Sequence, residues 1–225
     1  MRVPVPLRGV LSAPFRLFGI RPSRMNPNTC TVCELMFTKV MRARKITIDA
    51  TVLFADLRDY TGLSQSLRPE AMSELLDTFY DQCASAIWDY DGLLNKTIGD
   101  AVMAVFNFPI KQADHPRQAL LAAREIQRRC HARRDALGPD GQGLGVGIGI
   151  HSGELTFGEF GRSHRDLTAI GTVVNTAARA QSAASAGQIL VTRAVYDRAK
   201  AELPDSHAQQ YQLKGFETPI ELYAA

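Results

Sequence analysis

The feature that most limits the possible folds is a regular alternation, from residue 46 onward, of short β-branched apolar runs with longer amphipathic stretches. The run DATVLFADL at 49–57 predicts a buried strand. Residues 67–90 carry apolar side chains at helical spacing behind Pro69 and predict a helix. LLNKTI and AVMAVF flank Gly99-Asp100, the pattern of a β-hairpin. This order of elements favours an α+β sandwich, with one sheet covered by helices.

The rest of the chain continues the alternation. Asp114 and Pro116 mark the start of a second predicted helix, and the glycine-rich strings GLGVGIGIHSG and ELTFGEFG are two strand candidates. The remaining predicted elements are that helix at about 115–136, a short strand LTAIG, a helix at 172–185, a strand at 188–192, a helix at 193–201 and a hairpin at 208–223 around Lys214-Gly215.

Charge divides the chain into a basic leader and a mildly acidic body. Residues 1–45 hold nine Lys or Arg and one acid, a balance of +8, and residues 46–225 hold 17 basic and 22 acidic residues, a balance of −5; together they give the net +3. This asymmetry argues against a uniform nucleic-acid-binding surface. We expect a flexible, Pro-rich leader at 1–28, with a weak membrane-surface or protein contact, or organelle targeting, as alternative roles.

No apolar run approaches the ~20 residues of a membrane span, and four cysteines without a paired framework suit a cytoplasmic protein. A helical linker is predicted at 29–45, and Cys30-x-x-Cys33 stands at its start. One CxxC supplies two of the four ligands that zinc takes, so the pattern favours two thiols without metal. A dimer that assembles four cysteines around one ion is the alternative.

Two aspartates are the first candidates for chemistry. Asp56 lies near the end of the apolar strand 49–57, and Asp100 lies at the tip of the hairpin. On neighbouring strands these carboxylates would converge, and carboxylate oxygens suit Mg²⁺ or Mn²⁺, with substrate phosphates completing the shell. A general acid–base pair is the other active interpretation, and isolated turn residues are the structural one.

Four strings in order, VLFADLRDYT, NKTIGDAVMAVF, GIGIHSGE and TAIGTVVNTAARAQ, resemble the class III adenylate/guanylate cyclase catalytic domain. The resemblance covers about residues 48–223. It implies a ferredoxin-like antiparallel sheet covered by helices, in a head-to-tail homodimer whose chains share two active sites. It also implies two-metal-assisted attack of a ribose 3′-hydroxyl on the α-phosphate of a nucleoside triphosphate, with release of pyrophosphate.

The resemblance also assigns roles to single residues. The implied metal ligands are Asp56, Asp100 and the carbonyl of Leu57. Phosphate contacts would come from the backbone around Tyr60 and Thr61 and, by a looser alignment, from Lys214.

A second group of implied roles concerns ribose, phosphate and base. Asn175 and Arg179 stand four apart in VNTAAR and share a helix face. In the family the Asn positions the ribose and the Arg stabilises the pentavalent phosphate. Lys96 matches the first base-selecting residue, and Thr168 matches the second, which is often Asp. Thr at this place is typical of class IIIb, many of whose members respond to bicarbonate or CO₂.

The Lys–Thr pair favours ATP, so the implied protein is an adenylate cyclase for intracellular signalling. A guanylate cyclase and a catalytically silent regulatory module are the alternatives. Asp59 replaces a usually small residue, and Gly147 stands where many members have a basic residue that contacts phosphates. These departures bear on phosphate affinity. Four scattered histidines are interpreted as structural or solvent-facing: His115, His131, His151 and His164.

Overall fold

The computed structural model describes residues 12–23, 25–137, 145–161, 163 and 165–225. Its strands are β1 (Ile46–Leu57), β2 (Leu93–Ile98), β3 (Ala101–Phe106), β4 (Val146–Phe160), β5 (Asp166–Ile170), β6 (Ile189–Thr192), β7 (Ala208–Tyr211) and β8 (Ile220–Ala224). Its helices are α1 (Ala13–Leu17), α2 (Thr31–Ala43), α3 (Tyr60–Ser66), α4 (Pro69–Asp89), α5 (His115–Leu137), α6 (Thr172–Ala183) and α7 (Arg193–Ala199), with a 3₁₀ turn at Lys200–Glu202.

The strands form one sheet in the order β2-β3-β1-β4-β6-β8-β7, and β5 pairs with β4 outside this path. The described pairs are antiparallel except for the parallel pair β4–β6. The α+β sheet covered by helices is therefore confirmed.

Alternating side chains of β1 separate two helix layers. Leu53, Ala55 and Leu57 pack into a core with α4, α5 and α7, whereas Val52 and Phe54 pack into a core with α2 and α6. Asp56 follows in this alternation, so its side chain projects on the α2 and α6 side. The face of the sheet that carries α6 is therefore the face that carries the first candidate ligand.

The glycine-rich strings form a single strand, β4, and not the two strands expected from sequence. A Cβ on Gly149 would lie 2.0 Å from the backbone N of Gln181, so the glycine is required by the close approach of α6. Gly149 and Gly153 both face α6, and the glycines of β4 do not interrupt its pairing with β1. Helices α1 and α3, which the sequence did not predict, are both short, with five and seven residues.

The leader contacts the body at the end of α4. The amide of Asn26 donates to the carbonyl of Gly92 at 3.0 Å in a buried contact, and the indole N–H of Trp88 donates to the carbonyl of Met25 at 2.8 Å. Residues 1–11 and 24 of the expected flexible leader lie outside the described part. None of the described helices has the length and apolar character needed to cross a membrane.

Candidate active site

Two carboxylates meet where β1 ends beside the β2–β3 hairpin. Asp56 pairs in register with Ala101 on β3, the residue that follows Asp100. Burial raises the pKa of Asp56 to about 6, and the nearby Asp100 carboxylate adds to the rise, while Arg58 and a hydrogen bond from the Gln181 side chain oppose it. The structure thus brings the two aspartates together, and their role as metal ligands stays a prediction.

Arg58 lies beside this pair and fills the space over Gly147. Its Nη1 is 3.5 Å from Oδ1 of Asp56, and its Nη2 donates to the carbonyl oxygen of Gln181 in the last turn of α6. A Cβ on Gly147, which pairs with Asp56 across β1 and β4, would lie 2.2 Å from both Nε and Nη2 of Arg58. Glycine in place of the basic residue expected at position 147 therefore has a physical reason, because the Arg58 guanidinium, from the end of the neighbouring strand β1, already occupies the space of that side chain.

The turn after β1 contains the other departure. Asp59 has a φ of 61°, a left-handed conformation that glycine, asparagine and aspartate adopt more readily than other residues. Tyr60 is partly buried against the α4 core and Thr61 is exposed, both at the start of α3. The side chain of Leu57 is buried, and its N–H donates to the carbonyl of Asp100 at 3.1 Å. The assigned roles of these residues stay predictions.

The base-selecting candidates lie in one small cluster between β2 and β5. Lys96 forms an ion pair with Asp166. The hydroxyl of Thr168 donates to Oδ1 of Asn95 at 3.1 Å, and the Asn95 amide donates to the carbonyl of Leu167 at 3.1 Å. Sequence reasoning missed Asn95 and Asp166, which fix the hydroxyl and the ammonium group; the position of Asn95 beside Lys96 in NKTIGD was the available signal.

Asn175 and Arg179 point away from the aspartates of their own chain. Ala177, midway between them, is fully buried, and its carbonyl lies against Gly149 of β4. Two residues along an α-helix turn the side chain by about 200°, so Asn175 and Arg179 project from the opposite side of α6. Both are exposed. A single chain therefore does not join this pair to Asp56.

Lys214 is also distant from the aspartates within one chain. It lies exposed in the turn between β7 and β8, and β7 is the strand at the far edge of the sheet. Four strand spacings separate β1 from β7, about 19 Å in all. If Lys214 contacts phosphate, a second chain has to bring it there.

Two of the described histidines make structural contacts. His115 is buried, with Nδ1 2.7 Å from the Thr51 hydroxyl, and Nδ1 of His151 is 2.7 Å from the Thr192 hydroxyl. His131 is exposed, and His164 lies outside the described residues.

The donor set at Asp56 and Asp100 fits a hard divalent cation. No group of three or more His, Cys, Asp or Glu side chains gathers in the described part of the chain. Mg²⁺ needs only one or two carboxylates, because it retains waters and substrate phosphates as its other ligands. Burial is the largest cause of the raised pKa of Asp56, and repulsion from the Asp100 carboxylate is the second; a bound cation would relieve this repulsion.

Comparisons with known proteins agree on one family. The family described as "Adenylate and Guanylate cyclase catalytic domain" matches residues 43–224. "Adenylate cyclase" from Anabaena cylindrica is 31% identical over 183 residues, which cover 77% of this chain and 36% of that protein. The chain spans only 27% to 36% of the length of the first two curated relatives it matches.

Two solved structures share the fold. The adenylyl cyclase CyaB from P. aeruginosa has a TM-score of 0.72 and 29% identity, over 80% of this chain and 95% of that one. The guanylyl cyclase Cya2 has a TM-score of 0.74 and 26% identity, over 80% of this chain and 92% of that one.

Proposed function

Because this chain belongs to the adenylate and guanylate cyclase catalytic domain family, we propose that it is an adenylate cyclase that converts ATP to 3′,5′-cyclic AMP and pyrophosphate. Residues 46–225 would form the catalytic unit, and 29–45 the linker that precedes it. The single observation that carries the proposal is the meeting of Asp56 and Asp100 at a half-buried position at the end of β1.

The family generally uses divalent metals. Asp56, Asp100 and the carbonyl of Leu57 would hold two such ions, Mg²⁺ or Mn²⁺, which supply a lowered pKa for the ribose 3′-hydroxyl and neutralise charge on pyrophosphate. Backbone groups around Tyr60 and Thr61 would contact the triphosphate.

A second copy of the chain would complete each site. Asn175 and Arg179 project from the outer side of α6, where they are free to meet the aspartates of a partner chain. In that position the Asn175 amide would orient the ribose, and the Arg179 guanidinium would bind the oxygens of the five-coordinate phosphate. Lys214 would reach the triphosphate from the same partner. The proposed protein is therefore a head-to-tail homodimer with two equivalent sites.

The cluster between β2 and β5 supports ATP over GTP. Because the Thr168 hydroxyl donates its hydrogen bond to Asn95, its oxygen lone pairs remain to accept a hydrogen bond from the substrate. Adenine presents an amino donor at this ring position, whereas guanine presents a carbonyl oxygen, which is an acceptor. Lys96, with three donors and one partner in Asp166, would donate to the ring nitrogen of adenine.

A guanylate cyclase is the second candidate, and the fold similarity to Cya2 favours keeping it. Turnover of ATP and GTP by the purified chain, each with Mg²⁺ and Mn²⁺, separates the two. Lys96→Glu should shift the preference towards GTP. A higher kcat/KM for GTP in the wild type would overturn the adenylate assignment without affecting the family assignment.

The metal assignment is tested by Asp100→Asn. We expect a loss of product formation of about 10²-fold or more, since the substitution removes a charged ligand. Asp197→Asn, at an exposed carboxylate on α7, is the matched control and should leave turnover unchanged. Undiminished turnover by Asp100→Asn would show that the aspartates are not a metal pair.

The shared sites are tested by mixing two inactive variants. Asp56→Asn lacks the metal half of a site, and Arg179→Ala lacks the phosphate half. A mixed dimer contains one site with both defects and one with neither, so mixing should restore up to half of the activity per dimer. Mixed dimers that form and yet remain inactive would exclude sites shared in this way. A catalytically silent module would give no product in any of these assays.

A further inference from the structure

We infer that Cys30 and Cys33 form a reversible dithiol–disulfide site at the start of α2, oxidised by small disulfides such as oxidised glutathione. Their Sγ atoms lie 3.3 Å apart. Cys30 is the N-cap of α2, and Cys33 follows one helical turn later. One turn separates the two α-carbons by roughly 5 Å, which lies within the range of about 4.4–6.8 Å that disulfides span. Side-chain rotation alone can therefore close the bond.

The surroundings divide the two thiols into an attacking and a resolving group. Sγ of Cys30 accepts the N–H of Cys33 at 3.4 Å. Burial opposes ionisation, yet hydrogen bonds from the N–H and thiol of Cys33 and from the backbone at Val32 lower the pKa of Cys30. The shared thiol hydrogen bond, together with burial, raises the pKa of Cys33. Cys30 is the thiolate that attacks first, because the thiolate is the reactive form.

The other two cysteines provide a comparison inside the same chain. Cys83 and Cys130 are 0% and 1% exposed, in the core between α4 and α5. Burial, with the neighbouring Cys130 thiol, raises the pKa of Cys83 well above its ordinary value. Cys33, by contrast, is exposed, and Cys30 is partly exposed. Reagents in solution can therefore reach one pair and not the other.

Oxidation at this site would act on the docking of the leader. A short segment of the leader, at 21–23, pairs with residues 29–31 at the start of α2. At the centre of this pairing Pro22 forms an isolated antiparallel bridge with Cys30. The flanking hydrogen bonds run from the N–H of Ser23 to the carbonyl of Thr29 at 2.8 Å and from the N–H of Thr31 to the carbonyl of Arg21 at 2.9 Å. A disulfide restricts the first turn of α2 and so disfavours local opening of this ladder.

The chemical step balances without a metal or a further cofactor. The Cys30 thiolate attacks oxidised glutathione, whose S–S bond breaks, and one glutathione thiolate leaves. Cys33 then attacks the Cys30 sulfur of the mixed disulfide, which forms the Cys30–Cys33 bond and releases the second glutathione. Two electrons and two protons pass from the protein thiols to two glutathione thiols, and excess reduced glutathione reverses both steps.

A redox titration of the full chain tests the site. The protein is equilibrated in glutathione buffers of graded ratio, quenched with acid, alkylated and mapped by peptide mass spectrometry. We expect two of the four thiols to be lost together, as a product lighter by two hydrogens, while Cys83 and Cys130 stay alkylated. Cys30→Ser and Cys33→Ser should each give a mixed disulfide with glutathione. Cys30→Ser retains a good N-cap residue, so its fold should persist.

Three results would overturn the inference. The first is that Cys30 and Cys33 stay reduced at every ratio. The second is that they are linked only between two chains on a non-reducing gel. The third is that stoichiometric zinc co-purifies and blocks their alkylation. The coupling to the leader has its own readout in hydrogen exchange. The amides of Ser23 and Thr31 should exchange about tenfold more slowly in the oxidised protein. Equal rates in both redox forms would remove the proposed effect on docking.

Discussion

Gly147→Ala should destabilise this chain, because its Cβ would lie 2.2 Å from Nε and Nη2 of the Arg58 guanidinium. The guanidinium would have to leave its present position. It would lose a charge-assisted hydrogen bond to Gln181, of about 1.5–3 kcal/mol, and a partly buried ion pair with Asp56, of at most about 1 kcal/mol. We therefore expect a fall of about 1.5–4 kcal/mol in the free energy of unfolding.

A double-mutant cycle separates this clash from other effects. Urea unfolding without added metal is measured for the wild type, Arg58→Ala, Gly147→Ala and the double variant. Once Arg58 is truncated the space is open, so Gly147→Ala should cost less than about 0.5 kcal/mol in that background. Gly62→Ala is the matched control, because a Cβ there meets nothing within 4 Å and helical alanine is favoured by about 0.5–1 kcal/mol.

The measured coupling energy between positions 58 and 147 tests whether the Arg58 guanidinium lies over Gly147. A coupling of about 2 kcal/mol or more supports the position of the guanidinium over Gly147. If the two substitutions add within about 0.5 kcal/mol, Arg58 does not occupy that space, and the physical reason given for the missing side chain is wrong.

Three further predictions concern single side chains. Burial lowers the pKa of His151 to about 4, so as the pH drops the unfolded protein takes up this proton before the folded protein does, and the free energy of unfolding falls by at most about 3 kcal/mol between about pH 6.5 and 4. His151→Gln keeps a hydrogen-bond partner for Thr192 but does not titrate, so urea unfolding should show a smaller loss over this pH range in the variant. Asn95→Ala frees the Thr168 hydroxyl to donate, so the ATP-to-GTP ratio of kcat/KM should fall, and an unchanged ratio would contradict the orienting role. Asp59→Gly should match or exceed wild-type stability, whereas Asp59→Ala should lose about 1 kcal/mol at a positive φ; equal melting of the two variants would speak against a left-handed turn.

Periodicity was enough to predict most elements of the fold. The helix expected at 67–90 is observed at Pro69–Asp89, and the hairpin around Gly99-Asp100 is observed between β2 and β3, because apolar spacing and turn residues act locally. The glycine-rich region was divided wrongly into two strands. From the sequence alone, a glycine suggests that a strand ends. In the structure Gly149 lies inside β4, and its missing Cβ leaves room for α6, a helix more than 20 residues further along the chain.

The candidate site likewise contains residues that could be predicted from the sequence and residues that could not. Asp56 and Asp100 were predictable because each stands at the end of a recognisable strand. Arg58 was not, and for Asn95 the position beside Lys96 was the available signal, since the role of each depends on strand register and on which neighbour accepts its hydrogen bonds. Arg58 becomes a counter-ion for Asp56 only because β4 offers a glycine beside it. Such pairs depend on tertiary contacts, which a single sequence does not display.

The outward direction of Asn175 and Arg179 has a consequence for how output depends on the amount of protein. On the proposed dimer, a lone chain carries every functional group and still makes no product. When chains are scarce relative to their dissociation constant, the rate rises with the square of chain concentration. Dilution alone would then switch the activity off, and a modest rise in expression would produce a disproportionate rise in signal. The direction of two side chains on one short helix would thereby make activity depend on a concentration threshold, whose value is the dissociation constant of the dimer.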